Sequence, residues 1–411
     1  MSEVKVAPES LRLAIPGALK GVFAALVAVG AAAFLMALSR GEALRAWEAY
    51  LVNFLFWTGL SFGAVLFAAV LNMTGARWGR SAKRLAEAFS SYLPVAFLLF
   101  WILYFGRREL FSWVDHPVAG KELWLNPGFV FLRDGAGLLL LSCLSVALTY
   151  FSVKGDRVWL EAQDAGGDAA ERAVEASFRS QVRLSPAIAI AFAFVLSLVA
   201  FDMVMSLDTH WYSTLFGGYF FVGCFYTGIA SLYLLSLVSM KNPALGGSIG
   251  KGQLHDLGKL LLAFSLLTGY LFYVQFLVIW YANLPEETRF VILRVKTTAW
   301  EPLAWAILFM VFILPFFVLL SRRIKTRRTP MIVLCVMILT GMWLERFILV
   351  APSLWGKTRP AAGLLELCIT AGFFGVVMLC LAAFFKRVPA VPVSDPLFRK
   401  LLQEKGEALR P

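Results

Sequence analysis

The sequence predicts an all-α, polytopic membrane protein with about ten transmembrane helices. Three observations carry this reading. Of 411 residues, 60% are hydrophobic and only 16% charged, against about 25% charged in ordinary soluble domains. Apolar stretches of roughly twenty residues, the length that crosses a bilayer, recur from end to end. The polar residues between them are too few to clothe a soluble protein of this size, whereas helices in lipid satisfy their backbone groups internally. Soluble enzymes, disordered chains and disulfide-stapled secreted domains are thereby excluded.

The spans are expected near 17–38, 51–72, 86–106, 130–151, 186–206, 214–239, 257–283, 303–321, 331–351 and 361–385. The first is too long for a signal-peptide core and follows a polar segment, so it reads as a retained anchor. Pro94 and Pro315 lie inside spans 3 and 8, and Gly269 inside span 7, where kinks are available. An even number of spans puts both termini on one side. The loops and tails on that side hold more than twice as many Lys and Arg as the other loops. The densest run is Arg322, Arg323, Lys325, Arg327 and Arg328. The positive-inside rule therefore makes the termini cytoplasmic. The net charge of +12 then reflects cytoplasmic loops facing anionic membrane lipid, with no nucleic-acid partner.

The longest connection, about 152–185, contains Asp164, Gly166, Gly167 and Asp168 and is expected as a cytoplasmic loop dividing the chain. The two halves echo each other faintly. Trp47, Leu51, Phe56 and Gly59 at the head of span 2 recur as Trp211, Leu215, Phe220 and Gly223 at the head of span 6. Both segments enter from the same side, so such a repeat is parallel. The expected divisions are 1–45 (N-terminal segment and first span), 46–206 (spans 2–5), 207–351 (spans 6–9) and 352–411 (last span and basic tail).

Ionisable groups in a bilayer are costly and point to function. Asp134 beside Arg133, Asp202, Glu345 with Arg346, and Glu366 gather toward the outer side, and Asp208 and His210 follow in an outer loop. If spans 9 and 10 form a hairpin, Glu345 and Glu366 share a depth. Two carboxylates there share a proton or hold a cation between them, for which Arg346 is available. This layer reads either as a pocket that moves protons or meets a headgroup, or as ion pairing that fixes helix packing. Glu87 and Lys259 enter their spans only at the cytoplasmic edge and are expected to snorkel. No chain of carboxylates crosses the midplane, although Gln275, Asn53 and water could fill gaps.

His116 and His210 belong to outer loops and His255 to an inner one, so the chain cannot supply a bis-histidine haem. Cys143, Cys224, Cys335, Cys368 and Cys380 sit singly in apolar runs and read as small hydrophobes. There is no phosphate-binding loop, dinucleotide fingerprint or metal-ligand spacing. Gly246, Gly247 and Gly250 read as a flexible inner loop. No cofactor bound by this chain is expected.

Four segments together carry a resemblance. They are Phe201 to Gly217, which includes Asp202, Asp208, His210 and Trp211; His255-Asp256-Leu257-Gly258-Lys259 with Gln275 and Ile279 to Glu287; Tyr50 to Phe56; and Trp124-Leu125-Asn126 leading to Leu132-Arg133-Asp134. Over about residues 45–350 the chain resembles the NrfD/polysulfide-reductase-like membrane subunits of alternative complex III, a bacterial quinol:cytochrome c oxidoreductase. It is most similar to the shorter, ActF-type subunit.

The resemblance implies two four-helix bundles, spans 2–5 and 6–9, flanked by spans 1 and 10. It also implies a bacterial inner-membrane complex with a paralogous ten-span NrfD-like subunit, an iron–sulfur subunit and a multihaem cytochrome c. Haem and iron–sulfur clusters would reside in those partners. In the quinol-oxidising paralogue a His precedes a Gly-Arg pair at the end of the third span, with an Asp early in the fourth. Here Gly106-Arg107 and Asp134 fit, but Tyr104 takes the His position. A phenol of pKa about 10 is a poorer proton acceptor than an imidazole near 6.5. The implied quinone site of Tyr104, Arg107 and Asp134 is thus degenerate. The implied role is structural and proton-conducting, the acids being Asp134, Asp202, Asp208, Glu345 and Glu366 with His210 and Arg346. The rival readings are the membrane anchor of a polysulfide-reductase-type oxidoreductase and, more remotely, a secondary transporter.

Overall fold

The computed structural model describes residues 13, 15–162, 168–242, 245, 248–358 and 363–404. Asp164, Gly166, Gly167, Gly246 and Gly247 lie outside the described residues, as do the first twelve positions and the end of the basic tail. Among the described residues, ten helices are long and apolar enough to cross a membrane: Gly17–Ser39, Ala43–Thr74, Arg80–Leu103, Pro127–Glu161, Asp168–Leu207, Phe216–Ser239, Lys251–Ala282, Glu301–Leu320, Arg328–Trp355 and Leu364–Arg387. These are spans 1 to 10. No strand occurs among the described residues. Below, the face on which span 1 begins and span 10 ends is the terminal face, and the other is the opposite face.

Spans 2–5 close one four-helix bundle and spans 6–9 a second. Span 2 lies against span 6 along the seam, while spans 1 and 10 pair closely with each other and lean on span 2. Span 2 is consequently buried from Ala46 to Asn72 almost without interruption. Helices in lipid gain little hydrophobic energy by associating, so close backbone approach through small residues takes over. At the seam, a Cβ on Gly63 would lie 2.2 Å from the Cys224 carbonyl oxygen, and one on Gly228 would lie 2.4 Å from the Ala64 nitrogen. Gly59 and Gly223, matched in the sequence echo, have different neighbours: Gly59 faces the Cys224 sulfur and Gly223 the Arg346 guanidinium.

Several expectations change. The 152–185 connection is no long loop. Span 4 continues as helix to Glu161 and span 5 starts at Asp168, and the two extensions pack together, burying Ser152, Gly155, Asp156, Val174, Ser177 and Gln181. Span 10 pairs with span 1 rather than forming a packed hairpin with span 9. His255 lies within the first turns of the span 7 helix, not in a loop. Of the cysteines, Cys224 and Cys335 are buried, Cys368 and Cys380 half-buried and Cys143 exposed; all are free.

The prolines act through the carbonyls they leave unserved. Span 3 reaches Pro94 through a short 3-10 segment, Ala88–Ser91. In span 8 the residue four beyond Val311 is Pro315, and the turn Phe309–Ile313 widens into a π-segment. The Val311 carbonyl instead accepts from the hydroxyls of Tyr226 (3.0 Å) and Ser265 (3.1 Å). In span 9 the residue four beyond Ile348 is Pro352, and the Ile348 carbonyl accepts from Arg294 Nε at 2.9 Å. Gly269 does not kink span 7, which is one continuous helix; a Cβ there would strike the Phe312 ring.

Candidate functional site

Toward the opposite face of the first bundle, span 4 starts where Asn126 accepts from the Phe129 amide at 3.2 Å. That cap sets Arg133 and Asp134 both about two turns in. Arg133 grips Asp202 of span 5 with two bonds, Nε to Oδ2 at 2.6 Å and Nη2 to Oδ1 at 2.5 Å, the fork geometry that suits guanidinium and carboxylate. Trp124 covers this pair: its ring lies 3.8 Å from the guanidinium and its Nε1 donates to Asp202 at 3.1 Å. Asp134 sits fully buried against the Asp202 carboxyl, and no N–H or hydroxyl of another residue donates to its oxygens. Arg107 stacks 3.9 Å over the Tyr104 ring and donates from Nη1 to the Tyr104 carbonyl at 2.6 Å. Gly106 is required here because a Cβ would fall 2.2 Å from the Trp47 ring.

The second bundle encloses a cavity of about 150 Å³ between spans 6, 7, 8 and 9 and the helix Pro285–Val295. Aromatic residues dominate its wall, among them Trp211, Tyr219, Phe272 and Phe290. Trp211 and Phe290 stack face to face at 3.7 Å. Its polar groups are few. Glu345 is paired with Arg346 at 3.3 Å and hydrogen-bonded with the Tyr219 hydroxyl. Gln275 accepts from the Ser213 hydroxyl at 3.2 Å. Arg294 spends its donors on the carbonyls of Phe290, Ile348 and Leu349 and on the Ser353 hydroxyl. Burial pushes the Arg294 guanidinium down to about 9, against the pull of Asp208. Ala200-to-Leu207 geometry does not reach this cavity, so Asp202 and Glu345 belong to different bundles.

Glu366 has a third environment. Arg45 holds it with bonds of 2.5 and 2.8 Å, and its Oε2 also accepts from the Gly363 amide at 2.8 Å. It therefore does not share a proton or a cation with Glu345. Nearby Glu48 accepts from Trp355 Nε1 at 2.5 Å. Asn53 ties span 2 to its neighbours, donating to Thr370 and accepting from Trp343, both at 3.0 Å. His210 is exposed, its amide 3.4 Å from the Asp208 carboxylate. The outer acidic layer read from sequence is thus divided among separate sets of partners.

The terminal face holds a network that sequence reading missed. Arg80, Lys83, Arg84 and Glu87 are all fully buried, so Glu87 does not snorkel. Arg84 bonds Glu87 (2.6 Å) and Asp156. Arg80 and Lys83 converge on Asp395 at 2.9 and 2.7 Å, and Ser394 donates to Asp156 from both its amide and its hydroxyl. Burial alone would raise the Asp395 carboxyl, but Lys83 and Arg80 outweigh it and hold the group at about 2. Lys259 is exposed beside Asp256, as expected of an edge residue. The basic run after span 8 is not wholly solvated either: Lys325 is buried, and burial together with Lys259 lowers its ammonium.

The residues that sequence reading passed over, Arg45, Glu48, Lys83, Asp156, Tyr219, Arg294 and Asp395, lie outside the expected spans or look unremarkable within them. No group of His, Cys, Asp and Glu among the described residues is arranged to hold a metal ion. No protein-family model matches the chain, and no curated protein matches it.

Proposed function

We propose that this multi-pass membrane protein is a non-catalytic subunit of a bacterial respiratory quinol:cytochrome c oxidoreductase of the alternative complex III type, seated in the inner membrane. It holds the paralogous ten-span subunit, the iron–sulfur subunit and the multihaem cytochrome c together, and its buried acids carry protons to the complex's quinone chemistry. The observation that supports this most is Asp134. Its two oxygens are buried and receive no N–H donor, and its carboxyl lies against Asp202 of the Arg133–Asp202 pair. A carboxyl so placed is free to exchange a proton while the neighbouring salt bridge keeps the helices fixed.

Arg107 and Tyr104 cover each other in the segment that resembles a quinone pocket. That arrangement, with a phenol in the place of an imidazole, favours a degenerate quinone site over an oxidising one.

The test is mass spectrometry of what co-purifies with the tagged chain from mildly solubilised native membranes. Recovery with multihaem cytochrome, iron–sulfur protein and the ten-span paralogue is expected. A molybdopterin catalytic chain instead would assign the anchor role of a polysulfide-reductase-type enzyme. A well-folded chain recovered alone overturns the subunit reading.

A further inference from the structure

We propose that Lys259, Arg322 and Lys325, where spans 7 and 8 meet the terminal face, form a binding site for the phosphate of one anionic phospholipid. The inference does not depend on which complex the chain joins.

The positive-inside pattern accounts for basic residues at this edge, but it leaves them solvated, and Lys325 is not. Its side chain is buried, at 5% exposure. The stem lies across Gly258 of span 7, where a Cβ would meet Lys325 Cδ at 2.7 Å. The Tyr233 hydroxyl donates to the Lys325 carbonyl and fixes the backbone there. The ammonium is therefore held in one place at the foot of span 7. No carboxylate among the described residues pairs with it; its charged neighbour is Lys259, and burial together with Lys259 lowers it. A covered cation with no counter-charge is costly. An anion at its head would remove that cost.

The neighbours supply the rest of the site. Lys259, Arg322 and Lys325 gather around the His255 ring, and His255 and Lys259 stand one turn apart on the same face of span 7. Asp256, the carboxylate in this group, is already held by Lys259 at 2.9 Å, so positive charge stays in excess. Cations clustered between spanning helices at a membrane edge suit a lipid phosphate. The surroundings decide its source. From Lys259 the exposed face of span 7 continues through Ala263, Leu266 and Tyr270, which recur about once per turn. Phe317 and Leu320, exposed in the last turns of span 8, precede Arg322. The short helix Arg322–Lys325 packs on span 7. The cations thus end an apolar surface along which acyl chains can lie. A free phosphate ion gains nothing from that surface, whereas a phospholipid does.

The test titrates the purified, delipidated full-length chain in neutral detergent with dioleoylphosphatidylglycerol or dioleoylphosphatidylcholine, and counts bound lipid by native mass spectrometry. Tighter retention of the phosphatidylglycerol is expected. Lys325→Met keeps the stem over Gly258 and removes only the charge; it should weaken that retention about fivefold. Lys154→Met removes the same charge from an exposed position of span 4 and should leave it unchanged. Without anionic lipid, Lys325→Met should melt no lower than the unmodified chain, and added phosphatidylglycerol should raise the melting temperature of the unmodified chain more than that of the variant. Arg322→Gln, at an exposed position, carries the binding test if Lys325→Met does not fold. Equal retention of the two lipids overturns the proposal. So does an equal loss in Lys325→Met and Lys154→Met, which would make the attraction a diffuse one. Displacement of the lipid by inorganic phosphate at equal concentration would assign the site to a free anion and overturn the lipid as its ligand.

Discussion

Arg294 Nε donates to the Ile348 carbonyl at 2.9 Å, the group that the amide of residue 352 would serve if that residue were not Pro352. An arginine from the short helix Pro285–Val295 thus substitutes for a missing backbone donor in span 9. Truncation to Arg294→Met takes the substitute donor from the Ile348 carbonyl and a second donor from those of Phe290 and Leu349, and should cost about 2–4 kcal/mol. Pro352→Ala returns an amide to Ile348, so the double variant should recover about 1 kcal/mol of that loss. Thermal unfolding of the four proteins in one detergent measures the coupling. Strict additivity would show that Arg294 acts elsewhere.

The tail after span 10 is a structural part. Asp395→Asn removes the carboxylate shared by Arg80 and Lys83, leaving buried cations uncompensated, and should destabilise by about 3 kcal/mol. Protease cleavage at Arg399 and Lys400 should quicken correspondingly. Unchanged cleavage and melting would contradict a docked tail.

The same group sets an acid limit. Asp395 sits at about 2 in the folded chain against an ordinary value of 3.8. A depressed carboxyl contributes stability that is fully present above the unfolded value, here above about pH 4. That contribution, roughly 2 kcal/mol, is lost as the pH falls toward 2. Unfolding followed between pH 5 and 2 should steepen in that window, and Asp395→Asn should remove its share of the slope.

Asp134 and Asp202 should respond oppositely to neutralisation. Asp202→Asn breaks a two-bond pair with Arg133 and should cost about 2–4 kcal/mol. Asp134→Asn removes a buried carboxyl and sets a neutral amide donor against the Asp202 carboxylate, so stability should stay level or rise by up to about 1 kcal/mol. On the proposal that the chain serves a quinol-oxidising complex, Asp134→Asn should instead lower that complex's proton yield per quinol. Equal melting shifts for both variants would mean that the two acids share one structural role.

The seam between bundles tolerates no side chain at its crossing. Gly63→Ala would drive a Cβ to 2.2 Å from the Cys224 carbonyl oxygen, a backbone atom that cannot swing away. Loss of about 3 kcal/mol or more is expected, since overpacking here moves whole helices. Gly252→Ala, which meets nothing within 4 Å, is the matched control in the same melting assay.

Much of the fold could be read from composition and periodicity. Ten apolar runs predict ten spanning helices because a bilayer demands about twenty residues each with every backbone group satisfied. Pro94 and Pro315 stand inside apolar runs where kinks are available, whereas the roles of Pro352, Gly63 and Gly228 emerge only from the packed helices. The buried charges were not legible. Arg80, Lys83 and Arg84 look like the cationic edge of a loop, and only the arrival of Asp395 beside Arg80 and Lys83, more than three hundred residues later, and of Asp156 beside Arg84 makes their burial affordable.

The site divides in the same way. The sequence by itself determined which residues are costly in a membrane: Asp134, Asp202, Glu345, Arg346 and Glu366 stand out wherever they fold. Tertiary structure alone decided their partners. Glu366 meets Arg45 rather than Glu345 because span 10 packs against span 2, at whose head Arg45 stands, and Arg294 meets Ile348 because a short helix folds back over span 9. Hydropathy is a local property of the chain and survives any rearrangement of helices. Ion pairs and cavities depend on distances between segments far apart in sequence, and those are set only when the helices pack.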